Sequence, residues 1–133
     1  MVDIAAGPGT LNDVQAALNA FWSLHDEVPS RVRMEVEIAA SEIAANIVEH
    51  CCAVGLQMEL HILVNEVEVE FIDTGAPVDV DLESVSMPDE MAERGRGLAM
   101  ARAALRLLSY CRDEVGNHWR LVSRAFPGNA SPC

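Results

Sequence analysis

Glu42 and Asn46 stand four residues apart in "SEIAANIVEH", residues 41–50, a stretch with the apolar density of a buried helix. At 100° per residue, Glu42, Asn46 and Glu49 fall within about 60° of one another, while Ala40, Ile43, Ala44, Ile47 and Cys51 take the broad opposite side. Such a polar stripe is ordinarily a solvated face. Asn argues for more, because it is a mediocre helix former with no reason to sit in mid-helix unless its amide oxygen is used. A second group is "FIDTGAPVD". There Asp73 comes directly off a strand, and Gly75 and Pro77 set a turn that lets the backbone approach a flat ligand while the Asp73 carboxylate accepts a hydrogen bond from it. An ordinary strand exit uses the same residue types. The third group is "ERGRGLAMARAAL", with Gly95 and Gly97 immediately before a helix. Backbone amides freed at a helix start bind phosphate oxygens, aided by the positive end of the helix dipole, although plain helix entry also reads G-x-G.

These residues need elements to hold them. "TLNDVQAALNAFWSLHDEV" opens with Thr10 and Asp13 at capping-box spacing and carries Leu11, Val14, Leu18, Phe21 and Trp22 at helical intervals. A second helix of about 22 residues is predicted between Pro29 and Ser30 at its start and Gly55 at its stop. The period then changes to two. Met58, Leu60, Ile62 and Val64 form one strand, a tight turn follows near Asn65 and Glu66, and Val67, Val69 and Phe71 alternate with Glu66, Glu68 and Glu70 in a second. That is a hairpin with one wet face. From Ala76 to Arg94 no periodicity is sustained, over a length that marks a functional or mobile segment. "GLAMARAALRLL" returns to helical spacing, "SYCRD" and "HWRLVSRAF" read as a closing hairpin, and "PGNASPC" as a frayed tail. The predicted fold class is α+β: a two-layer sandwich with a mostly antiparallel sheet and helices on one face.

The chain has 133 residues, half of them apolar, which suits a single domain over residues 1–133 with residues 1–9 and 127–133 flexible. Asp and Glu number 21 against 9 Lys and Arg, a formal net charge of −12. This acidic excess argues against a direct nucleic-acid partner, whose phosphate backbone it would repel, and suits either simple solubility or a partner with a basic face. Cys51, Cys52, Cys111 and Cys133 include no C-x-x-C and read as reduced thiols, Cys51 in the core and Cys133 on the tail. "MVDIAAGPG" has neither a basic nor a useful apolar leader segment, and no window approaches the roughly 18 apolar residues of a membrane span. A cytoplasmic protein without membrane contact is expected.

In this order and spacing, Glu and Asn four apart on a helix, D-x-G-x-P after the next hairpin, a lid-length loop, and G-x-G-L opening a helix resemble the Bergerat ATP-binding fold of histidine-kinase-like ATPases. The "SEIAANIVEH" and "GRGL" forms and the abbreviated lid look most like the serine-protein kinase anti-sigma factors of bacteria, over roughly residues 10–125. The resemblance implies that Asn46 holds a magnesium ion bridging the ATP phosphates. It implies that Glu42 is the general base taking the proton of a partner's serine. Asp73 would receive the adenine amino group with Gly75 and Pro77 shaping the turn beside it. Gly95, Gly97 and Leu98 would close the phosphate end, Arg94 or Arg96 would help neutralise it, and Val78 to Glu93 would be the lid. His50 matches a position often filled by His in that subfamily, with a helix-end hydrogen bond as its expected role. Implied partners are a sigma factor, an anti-sigma-factor antagonist and a second copy in a homodimer.

Two features depart from the family pattern. It begins with a β-strand that helps build the homodimer, followed by a helix carrying an arginine for sigma contact, whereas here no strand is read before the first helix and no Lys or Arg precedes Arg31. "ERGRGL" also lacks a further glycine. The function the resemblance implies is an ATP-dependent anti-sigma regulatory factor that phosphorylates a serine of an anti-sigma-factor antagonist and sequesters a sigma factor. The alternatives are a non-catalytic binding module and a detached histidine-kinase ATPase domain acting in trans.

Overall fold

The architecture comes from a computed structural model that describes residues 2–5, 9–50, 55–75 and 93–127, with side chains for 9–48, 56–75 and 98–127. In chain order the elements are β1 (Val2–Ala5), α1 (Thr10–Leu24), α2 (Ser30–His50), β2 (Gly55–Leu63), β3 (Glu66–Asp73), α3 (Glu93–Ala104), β4 (Leu107–Arg112) and β5 (Asn117–Val122). The strands form one five-stranded antiparallel sheet in the order β1-β2-β3-β5-β4. The predicted α+β sandwich is what the chain adopts.

β1 is a correction to the sequence reading, which began at the first helix and treated the opening residues as loose. Four residues pair antiparallel with β2, from Val2 opposite Met58 to Ala5 opposite Gly55. A strand this short carries too little alternation to be seen without its partner.

In β3, Val67, Val69, Phe71 and Asp73 point inward and are buried, while Glu66, Glu68, Glu70 and Ile72 are half-buried on the other face. This is the expected one-sided hairpin. Arg120 pairs with Glu68 and Arg106 with Glu66 on that outer face. Leu63 faces Glu66 across a two-residue turn, Val64–Asn65, in which Val64 takes a positive φ of 43°.

The inner face is covered by helices. Val32, Val36, Ala39, Ala40, Ile43, Ala44 and Ile47 of α2 are buried with Met58, Val69, Phe71, Trp119 and Leu121 of the sheet. α1 adds Val14, Leu18 and Trp22. Trp22 Nε1 donates to Glu37 of α2 at 2.8 Å, and the Arg33 guanidinium lies 5.7 Å from the Trp22 ring centroid, so a hydrogen bond and a cation–π contact join the two helices. Thr10, read as a cap, is buried inside the first turn; Gly9 holds the cap position, and its carbonyl accepts from Asp13 N.

The end of α3 also differs from the sequence reading. The helical spacing of the sequence runs on to Leu108, but the helix stops at Ala104 and β4 starts at Leu107. Leu105 and Leu108 are both buried, and a short apolar run satisfies either period. Past β5, Ser123 and Val67 exchange two hydrogen bonds, and Phe126 N donates to Asn65 O, which brings the buried Phe126 ring against the core.

Candidate functional site

Strand parity delivers the first candidate side chain. Asp73 is the last inward position of β3, in line with Val67, Val69 and Phe71, so its carboxylate enters the helix-covered layer and is 1% exposed. Burial of a carboxylate demands hydrogen bonds. Its Oδ1 accepts from Gly75 N at 2.7 Å, closing the turn expected from "DTG", and from Asn117 Nδ2 at 2.9 Å. Its Oδ2 is buried with no partner.

β5 supplies what the sequence reading missed. Asn117, opposite Asp73 in the register, is fully buried, and Tyr110 and Arg112 reach it from β4. The turn before it needs Gly116, whose φ is +150° and where a Cβ would stand 2.1 Å from the Asp73 carbonyl oxygen. Asp113 braces that turn, its Oδ1 accepting from Val115 N and Gly116 N. The hydrogen bond from His118, followed by those backbone donors, holds the Asp113 carboxyl below its ordinary value. "GN" after a turn was the available signal, but its value depends on which strand lies beside it, and no local pattern reveals that.

The second candidate element is α2. Asn46 is 6% exposed and Glu42 half-buried, so these two members of the polar stripe are at least partly covered. Both polar side-chain atoms of Asn46 are buried without partners. Leaving a buried donor or acceptor unmade costs about 1–3 kcal/mol each, so this helix carries an amide that its own fold does not use. Glu35 Oε1 and Trp119 Nε1 are also buried without partners. α2 packs on α3, β3 and β5, which places the Asn46 helix over the strands that carry Asp73 and Asn117.

α3 packs on α2 and contributes Leu98, which is buried. Gly95 and Gly97 lie within α3, which begins at Glu93, and not immediately before it. The sequence hides this start because the Gly and Arg residues before Leu98 carry no apolar marks from which a helical period could be read. The side chains of Arg94 and Arg96 lie outside the described residues, as do Pro77, the segment from Val78 to residue 92, the side chains of Glu49 and His50, and Cys51, Cys52 and Cys133. Cys111 is a free, exposed thiol. Among the described residues no helix is long and apolar enough to cross a membrane.

A helical layer on an antiparallel sheet, with a buried acid at a strand end and an unpartnered amide on the covering helix, defines an α+β domain with buried polar groups between its layers. The chain belongs to the histidine kinase-like ATPase domain family, whose model matches residues 4–123. It is 30% identical over 114 residues to the serine/threonine-protein kinase BtrW of Bordetella bronchiseptica, across 79% of this chain and 80% of that protein. A solved histidine kinase domain, from the Erythrobacter litoralis EL346 blue-light activated histidine kinase, superposes with a TM-score of 0.54 at 16% identity. That match covers 86% of this chain, which spans 59% of the solved one, and concerns the fold alone. The domain is thus a kinase-like ATPase domain.

Proposed function

We propose that the chain binds ATP with magnesium at this site and transfers the γ-phosphoryl group to a serine of an anti-sigma-factor antagonist, sequestering a sigma factor when that antagonist is phosphorylated. The observation that carries the reading is that Asp73 Oδ2 and both amide atoms of Asn46 are among the buried polar atoms left without partners. An acceptor beside a backbone turn suits the amino group of adenine. The Asn46 oxygen suits a hard cation whose remaining ligands come from phosphate and water, and among the described residues no cluster of His, Cys, Asp or Glu offers a rival site. Magnesium, when bound, would neutralise phosphate charge.

The chain's own residues would do the rest. Glu42, one helical turn before Asn46 on the same face, accepts the serine proton as the serine oxygen bonds to the γ-phosphorus. The bond to the β-phosphate oxygen breaks, and ADP leaves. Leu98 shields the phosphate end. Gly95 and Gly97 within the first turns of α3, with Arg94 and Arg96 in the same run, favour the phosphates by backbone approach and charge. The kinase assignment takes support from BtrW, itself named a serine/threonine-protein kinase. A homodimer formed through β1 is consistent with the place of that strand at one end of the sheet.

The test pairs calorimetry of ATP and ADP, with and without magnesium, with transfer of labelled phosphate to the cognate antagonist. Glu42→Ala should abolish transfer and keep ATP affinity. ATP binding without transfer in the wild type would leave the non-catalytic module, and acid-labile phosphohistidine in the acceptor would indicate the detached histidine-kinase domain instead.

A further inference from the structure

Trp119 is the largest fully buried side chain of the core, yet its indole Nε1, which can only donate, has no partner among the described residues. A buried indole N–H ordinarily finds an acceptor. The chain's other tryptophan does so, Trp22 Nε1 donating to Glu37 at 2.8 Å. Phe71, which stands opposite Trp119 in the register, brings no side-chain acceptor to it.

The same register places Trp119 beside the candidate site. Asp73 faces Asn117 across β3 and β5, so Trp119, two residues further on and on the same inward face, is the diagonal neighbour of Asp73. Such positions lie about 7–8 Å apart, within reach of an aromatic side chain. The Trp119 ring is 4.7 Å from that of Tyr110, whose hydroxyl is bonded to Asn117 Oδ1. One inward face therefore bears an unpartnered acceptor, Asp73 Oδ2, and an unpartnered donor, Trp119 Nε1, on adjacent strands, and the two are not bonded to each other. A group that both donates and accepts, seated between them, would satisfy both.

We propose that Trp119 is a specificity-determining residue of the site, its indole N–H donating to a ring nitrogen of the bound base. The inference rests on the ATP reading. Adenine has a ring nitrogen on either side of its amino group, N1 and N7, and each presents one in-plane lone pair. With the amino group on Asp73 Oδ2, one of these nitrogens takes the donor from the neighbouring strand. A carboxylate reads the amino group alone; the indole adds a second atom of the base to what the site recognises. The D-x-G-x-P and G-x-G patterns carry no sign of this contact, because a tryptophan in a strand reads as core.

The experiment measures the affinity of the full chain, by calorimetry, for ATP and for its 1-deaza and 7-deaza analogues, in which a C–H replaces one ring nitrogen. Trp119→Phe keeps an aromatic ring and deletes the N–H. The wild type should bind one of the two analogues about fivefold to thirtyfold more weakly than ATP, as the loss of one hydrogen bond requires. Trp119→Phe should lose a similar factor for ATP and bind that analogue and ATP alike, because the two changes remove the same contact. A variant that weakens all three nucleotides by one common factor shows a ring that only packs, and overturns the donor. Analogues that the wild type binds as tightly as ATP overturn it too. A wild type that binds none of the three overturns the ATP reading and the inference with it. Should Trp119→Phe fail to fold, Trp22→Phe leaves Trp119 as the sole tryptophan. Its emission must then shift on ATP binding, and an unchanged spectrum under calorimetric saturation refutes the contact.

Discussion

Asp73 shows how much one residue's chemistry depends on the pleat that carries it. The alternation of Val67, Val69 and Phe71 with three glutamates predicts which face Asp73 shares, and the structure buries it there. Asn46 was legible for a different reason, as a residue whose helix propensity gives no account of its place. The partners of Asp73 were not legible, because Asn117 lies 44 positions away and meets it only through strand pairing. Asp73→Asn tests the acceptor directly. Gly75 N and Asn117 Nδ2 both need an oxygen at Oδ1, so the substituted amide must place its NH2 where Oδ2 stood, donor against donor. ATP affinity should fall by about tenfold to a hundredfold, read by calorimetry, without loss of thermal stability, since a buried charge has been removed. An undiminished affinity would remove Asp73 from the base-binding role.

At the scale of elements, helices and long strands were readable from period, while short or irregular pieces were not. β1 has four residues, and the α3–β4 junction is an apolar run that fits both periods. The two tight turns give opposite predictions. Val64 holds a positive φ at 96% exposure, so its side chain contributes little packing to set against a backbone penalty of about 1–2 kcal/mol for a β-branched residue. Val64→Gly should therefore stabilise the protein by about 1 kcal/mol in chemical denaturation, despite the usual cost of glycine. Gly116→Ala should do the reverse. Its Cβ has no room beside the Asp73 carbonyl, and relieving that contact moves the strand end on which the carboxylate sits. We expect a loss of more than about 1 kcal/mol together with weaker ATP binding. Loss of stability with unchanged binding would show that the β4–β5 turn supports the fold but not the site.

For the whole molecule, the fold and the site compete for the same interior. A domain of this size retains about 5–15 kcal/mol of net stability, so unmade hydrogen bonds at Asn46 are a sizeable charge against it, tolerable if a ligand completes them. Stability and binding should then separate cleanly under one substitution. Asn46→Leu keeps roughly the side-chain shape and removes both unpartnered atoms, so the ligand-free protein should gain about 1–3 kcal/mol in denaturant unfolding. The wild type, at ATP and magnesium concentrations a hundredfold above the dissociation constant, should gain about 2.7 kcal/mol by mass action. The variant should lose the magnesium-dependent part of that gain. Were Asn46 merely a poorly packed core residue, the leucine would still stabilise the free protein, but ATP with magnesium would raise the melting temperature of both forms equally. The two melting curves, with and without the metal, therefore decide whether the interior of α2 is shaped for packing or for a phosphate-bound cation.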